Sequence, residues 1–306
     1  MLASLTDRRT LGEGWVLERK LDGVRCVAVA AGGDVRLWTR NALDRTARWP
    51  AVADALRSLD RDVVLDGEVV GMAGDEPLGF QSIQQGRDGV ALFAFDVLEL
   101  DGEDLRDRPW RERRAILESV LADPPRGLRV TTLLTGDTAA RYREACAAGW
   151  EGLIAKVEES RYVSGRSRDW LKLKCHAEQE VVVGGWTDPR GSRTGLGALL
   201  VGVYDEAGEP GSRPLRYAGK VGTGFNRETL DSLVARLAPL ERPTSPFAEP
   251  IKPRVAAAHW VEPRLVAQVG FQEWTGAGRL RQPRFLGLRE DKAPEEVVRE
   301  RPSAIP

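Results

Sequence analysis

From Trp15 onward the chain keeps returning to short apolar strands that end on Gly-Asp or Asp-Gly turns, and the segments between them change character once, near Cys175. Before that point "GWVLE", "RCVAVAA", "DVRLWT", "DVVLDGEVVG" and "VALFAFDVLEL" read as strands. They are interleaved with helical patterns in "WPAVADALRSL", "PWRERRAILESVLA" and "DTAARYREACAAGW", the last with Asp137 or Thr138 able to cap its start. After "WLKLKCHAE" the texture is mainly β, with "EVVVGGWT", "ALLVGVYD", "LRYAGKVGTG" and "RLVAQVGFQEWT" separated by glycine-rich turns and one helix near "RETLDSLVARLAPL". A chain of 306 residues passes the ~250 at which single cores stop growing, so the change of texture predicts two domains. The first, residues 1–175, is mixed α and β; the second, residues 176–306, reads as a small barrel with one helix, ending in a helical turn and a frayed tail from Ala293.

Composition narrows the function classes. Hydrophobic residues at 42% and charged residues at 30% describe an ordinary globular protein. No apolar run approaches the ~18 residues of a membrane span, so no membrane partner is expected. The start "MLASLTDRRTLGEG" lacks the basic-then-apolar pattern of a secretory signal, which predicts a cytoplasmic protein. Cys26, Cys146 and Cys175 match neither a disulfide framework nor a CxxC metal pair and are expected as small buried apolar residues. A net charge of −1 gives no global basic field, so any nucleic-acid contact must come from local patches such as "RLRQPRFLGLR", with four arginines and no acid. The glycines of "DPRGSRTGLG" could let backbone approach DNA, or simply form a flexible loop. With only His176 and His259 present, a histidine-based triad or zinc site has poor support, and His176 is expected as a satisfied surface residue.

In "WVLERKLDGVR" a strand ends by setting one amine, Lys20, beside Asp22, Gly23 and Arg25. A lysine there can be a covalent nucleophile if it attacks as the neutral amine; the same six residues can also be a solvated surface turn. Company decides between the two. "WTRN" puts Arg40 just past a strand, and "LDGEVV" buries Glu68 in an apolar one, where it needs a cation or hydroxyl partner. "LFAFD" supplies Phe93 and Phe95 on one strand face, and "WEGLIAK" offers Glu151 and Lys156 as either a salt-bridged hairpin or a metal ligand and a phosphate contact. "WLKLK" projects Lys172 and Lys174 from one face, a like-charge pair whose natural partner is an anion.

"ERKLDGVR", "LDGEVV", "FAFD", "EGLIAK" and "WLKLK", in this order, resemble the nucleotidyltransferase motifs of ATP-dependent DNA ligases. The later segments "RYAGKVGTGF" and "EWTGAGRLRQPRFLGLREDK" are similar to the ligase module of bacterial non-homologous end-joining ligases, from about Trp15 to Arg301. The resemblance implies an α+β fold: a nucleotidyltransferase domain of ATP-grasp-like antiparallel sheets with helices, followed by an OB-fold β-barrel. It implies ATP as cosubstrate, Mg²⁺ with Mn²⁺ as substitute, and nicked or broken double-stranded DNA as substrate in the bacterial nucleoid, with Ku and separately encoded polymerase and nuclease as partners. Lys20 would become the adenylated lysine; Glu18 would meet the adenine amino group, and Phe95, with Phe93 as second choice, would stack on the base. Arg25 and Arg40 would hold the ribose and the nick's 5′-phosphate, and Asp22 would engage the DNA end or a metal. Glu68 would meet a ribose hydroxyl or the metal, and Glu151 would be a metal ligand. Lys156, Lys172 and Lys174 would contact the α-phosphate, with Arg166 as a further cation. Arg289, Asp291 and Lys292 in "REDK" match the closing motif of the barrel domain, whose cations would orient the β and γ phosphates, and Arg279, Arg281 and Arg284 would track DNA. Gln268 stands where some relatives carry a carboxylate, and no helical DNA-encircling domain precedes Trp15, so modest, salt-sensitive DNA affinity is expected. The competing readings are an RNA ligase or GTP-using capping enzyme, which would share Lys20, and a single-strand-binding barrel on an inactive remnant, which would bind DNA without covalent nucleotide.

Overall fold

The computed structural model describes residues 1–78, 83, 89–175, 177–189, 195–209, 211–251 and 258–301; His176 and the centre of the loop "DPRGSRTGLG" lie outside them. The chain divides into two compact units, Met1–Cys175 and His176–Glu300. Among the described residues no helix is long and apolar enough to cross a membrane.

The first unit is built in chain order from β1 (Leu2–Leu5), β2 (Trp15–Arg19), β3 (Val24–Ala31), β4 (Asp34–Thr39), α1 (Pro50–Arg57), β5 (Val63–Ala73), β6 (Glu76–Leu78), β7 (Val90–Leu100), β8 (Glu103–Asp104), α2 (Trp110–Val120), β9 (Leu128–Val130), β10 (Leu133–Leu134), α3 (Thr138–Ala147), β11 (Gly152–Val157) and β12 (Arg166–Lys174). These strands form two sheets, a five-stranded one in the order β1-β12-β11-β2-β10 and a seven-stranded one with the path β4-β3-β5-β7-β8. Each sheet covers one face with helices. Alternate residues of β3, β5 and β7, among them Cys26, Leu65, Leu92 and Val97, pack with Val52 and Leu56 of α1 and Leu117 of α2. On the smaller sheet Leu17, Leu153, Ala155, Leu171 and Leu173 pack with Ala145 of α3. The period of two then forces the intervening residues onto the opposite faces. There Trp110, Trp170, Phe95 and Tyr162 meet in a third, aromatic cluster.

Local signals explain the helix starts. Proline is the first residue of α1, and the Asp137 carboxylate caps α3 by accepting from the Ala140 amide at 2.8 Å. One expectation fails here: Cys146, in the last turn of α3, and Cys175, just past β12, are joined in a disulfide with a Cα–Cα distance of 5.2 Å. They are 29 residues apart, and only the packing of α3 on the sheet brings them together. Cys26 is free and buried.

The second unit contains β13 (Ala177–Thr187), β14 (Ala198–Tyr204), β15 (Leu215–Val221), α4 (Arg227–Leu237), β16 (Glu241–Arg242), β17 (Ala258–Phe271) and β18 (Arg284–Leu288). One sheet runs β15-β14-β13-β17-β16 with β18 on β17. A bridge from Thr223, just past β15, to Arg284 curls it towards closure. Val181, Val183, Leu199, Val201 and Val269 fill the interior with Leu233 and Leu237 of α4.

Candidate active site

Three rows of side chains cross the inner face of the smaller sheet, set by strand register. Lys174 pairs with Gly152, whose carbonyl accepts the Lys20 amide at 2.9 Å; Lys172 pairs with Ile154, which pairs with Glu18; Trp170 pairs with Lys156, which pairs with Val16. The nucleophile candidate thus stands level with Lys174 and next to the Glu18 row. Gly152 separates the two lysines, and any Cβ there would lie 2.0 Å from the Leu173 carbonyl oxygen. Gly23 is similarly forced, since a Cβ would lie 2.2 Å from the Val69 carbonyl oxygen on β5. That close approach lets the turn after Lys20 cross from one sheet to the other.

The facing row on the larger sheet is Arg25, Glu68 and Phe93, in register across β3, β5 and β7. A bulge in β7 leaves Phe95 unpaired between Ala94 and Asp96, and bulges re-aim side chains. Phe95 meets Trp170 edge-on at 5.9 Å, with the Arg25 guanidinium 4.8 Å and the Lys156 ammonium 4.6 Å from its ring centre.

The Lys20 ammonium is ion-paired with Glu151. Burial alone would lower the Lys20 pKa; the Glu151 carboxylate, helped by Glu68, outweighs both this and the repulsion from Lys174, and the net shift is upward. Lys20, Glu151, Glu68 and Lys174 therefore act on one another in a single site, and the resting amine is protonated. A nucleophile in this state is made reactive only when its carboxylate partner is drawn elsewhere.

Lys156 keeps different company from that expected of a phosphate contact. Its ammonium donates to both Glu18 oxygens at 2.9 Å and to the Phe95 carbonyl at 3.1 Å. It lies 4.4 Å from the Trp170 ring centre and 5.6 Å from that of Trp110, so three rings surround it. Lys156 and Glu18 are 1% and 2% exposed; burial pulls the Lys156 pKa down against the pull of Glu18 and Asp96. Arg166 is not part of the gathering: its guanidinium donates to the Ala3 carbonyl at 2.8 Å, and Lys174 lies roughly 25 Å further along β12. Lys172 shares the inner face with Lys174; Asp22 is half-buried in the turn after Lys20, and Arg40 is exposed past β4.

Several residues of this site are not among those the sequence singled out. Asp66, fully buried, grips Arg25 with both oxygens and accepts the Tyr162 hydroxyl at 2.7 Å. Adjacent arginines of α2 turn inward in different directions. Arg113 clamps Asp96 at 2.7 and 2.8 Å, and Arg114 donates to Thr131 and to Glu118 and faces Glu18 at 3.6 Å. Two buried cations in succession on a helix are themselves a cue, because each must have an acidic or carbonyl partner.

In the second unit Lys292 pairs with Glu180 at 3.2 Å, and Arg289 holds Asp291 through two bonds of 2.8 Å. Gln268 donates to Glu178 at 3.0 Å. The arginine-rich segment carries no acid of its own, yet acids from elsewhere reach it: Arg279 faces Glu249 at 3.4 Å and lies 4.7 Å from the Tyr217 ring centre, and Arg281 pairs with Glu273 at 2.7 Å. Arg284 is exposed on β18.

Known proteins resemble this chain over nearly its whole length. The family model "ATP dependent DNA ligase domain" matches residues 1–174, and that of the "ATP dependent DNA ligase C terminal region" matches residues 192–292. The structure of mycobacterial DNA ligase D complexed with ATP and MES superposes with a TM-score of 0.69 at 40% identity, covering 98% of both chains. The multifunctional non-homologous end joining protein LigD of Pseudomonas aeruginosa is 42% identical over all of this chain, which spans 37% of that protein's length. A probable DNA ligase of Pseudarthrobacter chlorophenolicus is 37% identical over 94% of this chain and 58% of its own. The chain belongs to the ATP-dependent DNA ligase family, with that family's nucleotidyltransferase domain and OB-fold domain.

Proposed function

We propose that this chain seals 3′-hydroxyl to 5′-phosphate breaks in double-stranded DNA through a lysyl-AMP intermediate, in nick sealing or end joining. The observation that carries the reading is the placement of Lys20 among Glu151, Glu68 and Lys174. The Lys20 amine, once neutral, attacks the α-phosphorus of ATP; a P–N bond forms, the bond to the bridging oxygen breaks and pyrophosphate leaves. The AMP then passes to the 5′-phosphate of the break, and the 3′-hydroxyl displaces it. Little covalent work falls to the protein beyond the nucleophile; positioning and cations supply the rest.

Lys174 and Lys172 would meet the α-phosphate, Arg25 and Arg40 the ribose and the 5′-phosphate, and Asp22 the DNA end. Phe95, with Phe93 second, would pack on the base, and Glu18 would accept its amino group. Arg289 and Lys292 would serve the departing pyrophosphate, and Arg279, Arg281 and Arg284 the DNA backbone. Glu68 and Glu151 offer hard carboxylate oxygens, and among the described residues no group of three acidic, histidine or cysteine side chains gathers for a metal. Such a donor set fits Mg²⁺, or Mn²⁺ in its place, held by one or two carboxylates and completed by substrate phosphates. Bound there, the ion would neutralise charge on the triphosphate. Binding of Glu151 to it would also release Lys20 from its ion pair.

The names of the long relatives, multifunctional non-homologous end joining proteins, support an end-joining setting; a place in the bacterial nucleoid, and Ku with separate end-processing enzymes as partners, belong to the proposal. Incubation of the protein with ATP, Mg²⁺ and a nicked duplex tests the reading: a sealed strand is expected with ATP and not with GTP. DNA binding without sealing would leave the remnant-barrel reading in its place.

A further inference from the structure

We infer that Arg114 is a specificity-determining residue of the nucleotide site, forming with Glu18 the donor and acceptor pair that tells the 6-amino edge of adenine from a 6-oxo purine. The inference rests on the proposed self-adenylation and deepens it. Glu18 lies two residues before Lys20, so both side chains leave the same face of the strand about 6.6 Å apart. That spacing suits the base end of a nucleotide whose α-phosphate meets Lys20. A carboxylate there would repel phosphate, so a neutral N–H is its fitting partner.

An ionised carboxylate has about four acceptor sites; Lys156 takes one on each Glu18 oxygen. An arginine has five N–H donors. Arg114 directs Nε to Glu118 at 2.7 Å, Nη1 to the Thr131 hydroxyl at 3.0 Å and Nη2 to the Thr131 carbonyl. Its Nη1 also stands 3.6 Å from Glu18 Oε1, beyond a hydrogen bond. Both members of the pair are thus held in place, Glu18 by the ring-enclosed Lys156 and Arg114 by Thr131 and Glu118. An acceptor and a donor stand side by side. Adenine offers the complementary edge, an amino donor beside the N1 acceptor. Hypoxanthine and guanine offer the reverse, an oxygen acceptor beside an N1–H donor, and would set oxygen against carboxylate.

The test measures self-adenylation of the full chain with ATP and with inosine triphosphate, for wild type, Arg114→Met and Arg114→Lys, alongside thermal melting. The expected result is a fall of about tenfold or more in the ATP to ITP ratio of kcat/KM for Arg114→Met, mainly through KM for ATP, with partial recovery in Arg114→Lys. A wild-type ratio in Arg114→Met, at any absolute rate, overturns the inference, because a merely structural arginine would slow both nucleotides alike. Should Arg114→Met fail to fold, Thr131→Val and Glu118→Gln loosen the same guanidinium, and an unchanged ratio in both overturns it equally. Absence of label on wild type with either nucleotide sinks instead the self-adenylation on which the inference rests.

Discussion

Arg113 and Asp96 of the first unit are both 0% exposed, whereas Arg281 and Glu273 of the second pair with 56% and 55% of their side chains in solvent. Both are arginine–carboxylate pairs, and the physics is opposite. A buried pair admits one geometry, since breaking it strands a charge in low dielectric. An exposed pair contributes ~0–1 kcal/mol and exchanges its partner freely. The Arg113–Asp96 pair therefore fixes α2 on β7, whereas Arg281 keeps a guanidinium that solvent reaches.

The sharpest way to break this contrast is to remove one partner of each kind. Asp96→Asn is expected to destabilise the first unit by about 3–5 kcal/mol in denaturant unfolding. Glu18→Gln ranks next, with about 2–3 kcal/mol lost because Lys156 is left buried without its carboxylate; the double variant with Lys156→Met should lose less than the sum of the singles. The pH dependence has a definite sign. The folded Lys156 pKa lies below its unfolded value, so the unfolded chain binds more protons, and stability rises as pH increases through the folded value. In Glu18→Gln that rise should begin at lower pH; a flat profile would argue against a buried ammonium.

Lys20 offers a chemical version of the same comparison. In metal-free protein its pKa is raised, chiefly because the Glu151 carboxylate overcomes burial. Reaction with an amine reagent should therefore climb with pH and, at fixed pH, be faster in Glu151→Gln, where burial acts unopposed; mass mapping of the modified lysine reads both. The smallest effect is expected at Arg281→Gln, with stability within about 0.5 kcal/mol of wild type and the salt slope of DNA binding reduced by about 1.

The strands were legible because their signal is local. A period of two put Lys172 and Lys174 on one face, and the largely apolar run of β5 picked out Glu68. Features that depend on distant segments were not. Glu18 and Lys156 meet across 138 residues, Cys146 and Cys175 meet only through the packing of α3, and the bulge at Phe95 is invisible in "FAFD". The acids that reach the arginine-rich segment, Glu249 and Glu273, come from other stretches of the chain. Arg113 and Arg114 carried a usable cue, since the periodicity of α2 turns both inward and an inward arginine demands a partner.

The central claim is that Lys20 is the covalent nucleophile. Protein stripped of AMP with pyrophosphate should be incubated with α-labelled ATP, and separately GTP, in Mg²⁺, followed by denaturing electrophoresis of wild type and Lys20→Ala. The account predicts label from ATP on wild type alone. Label persisting on Lys20→Ala, or none on wild type with either nucleotide, would contradict it.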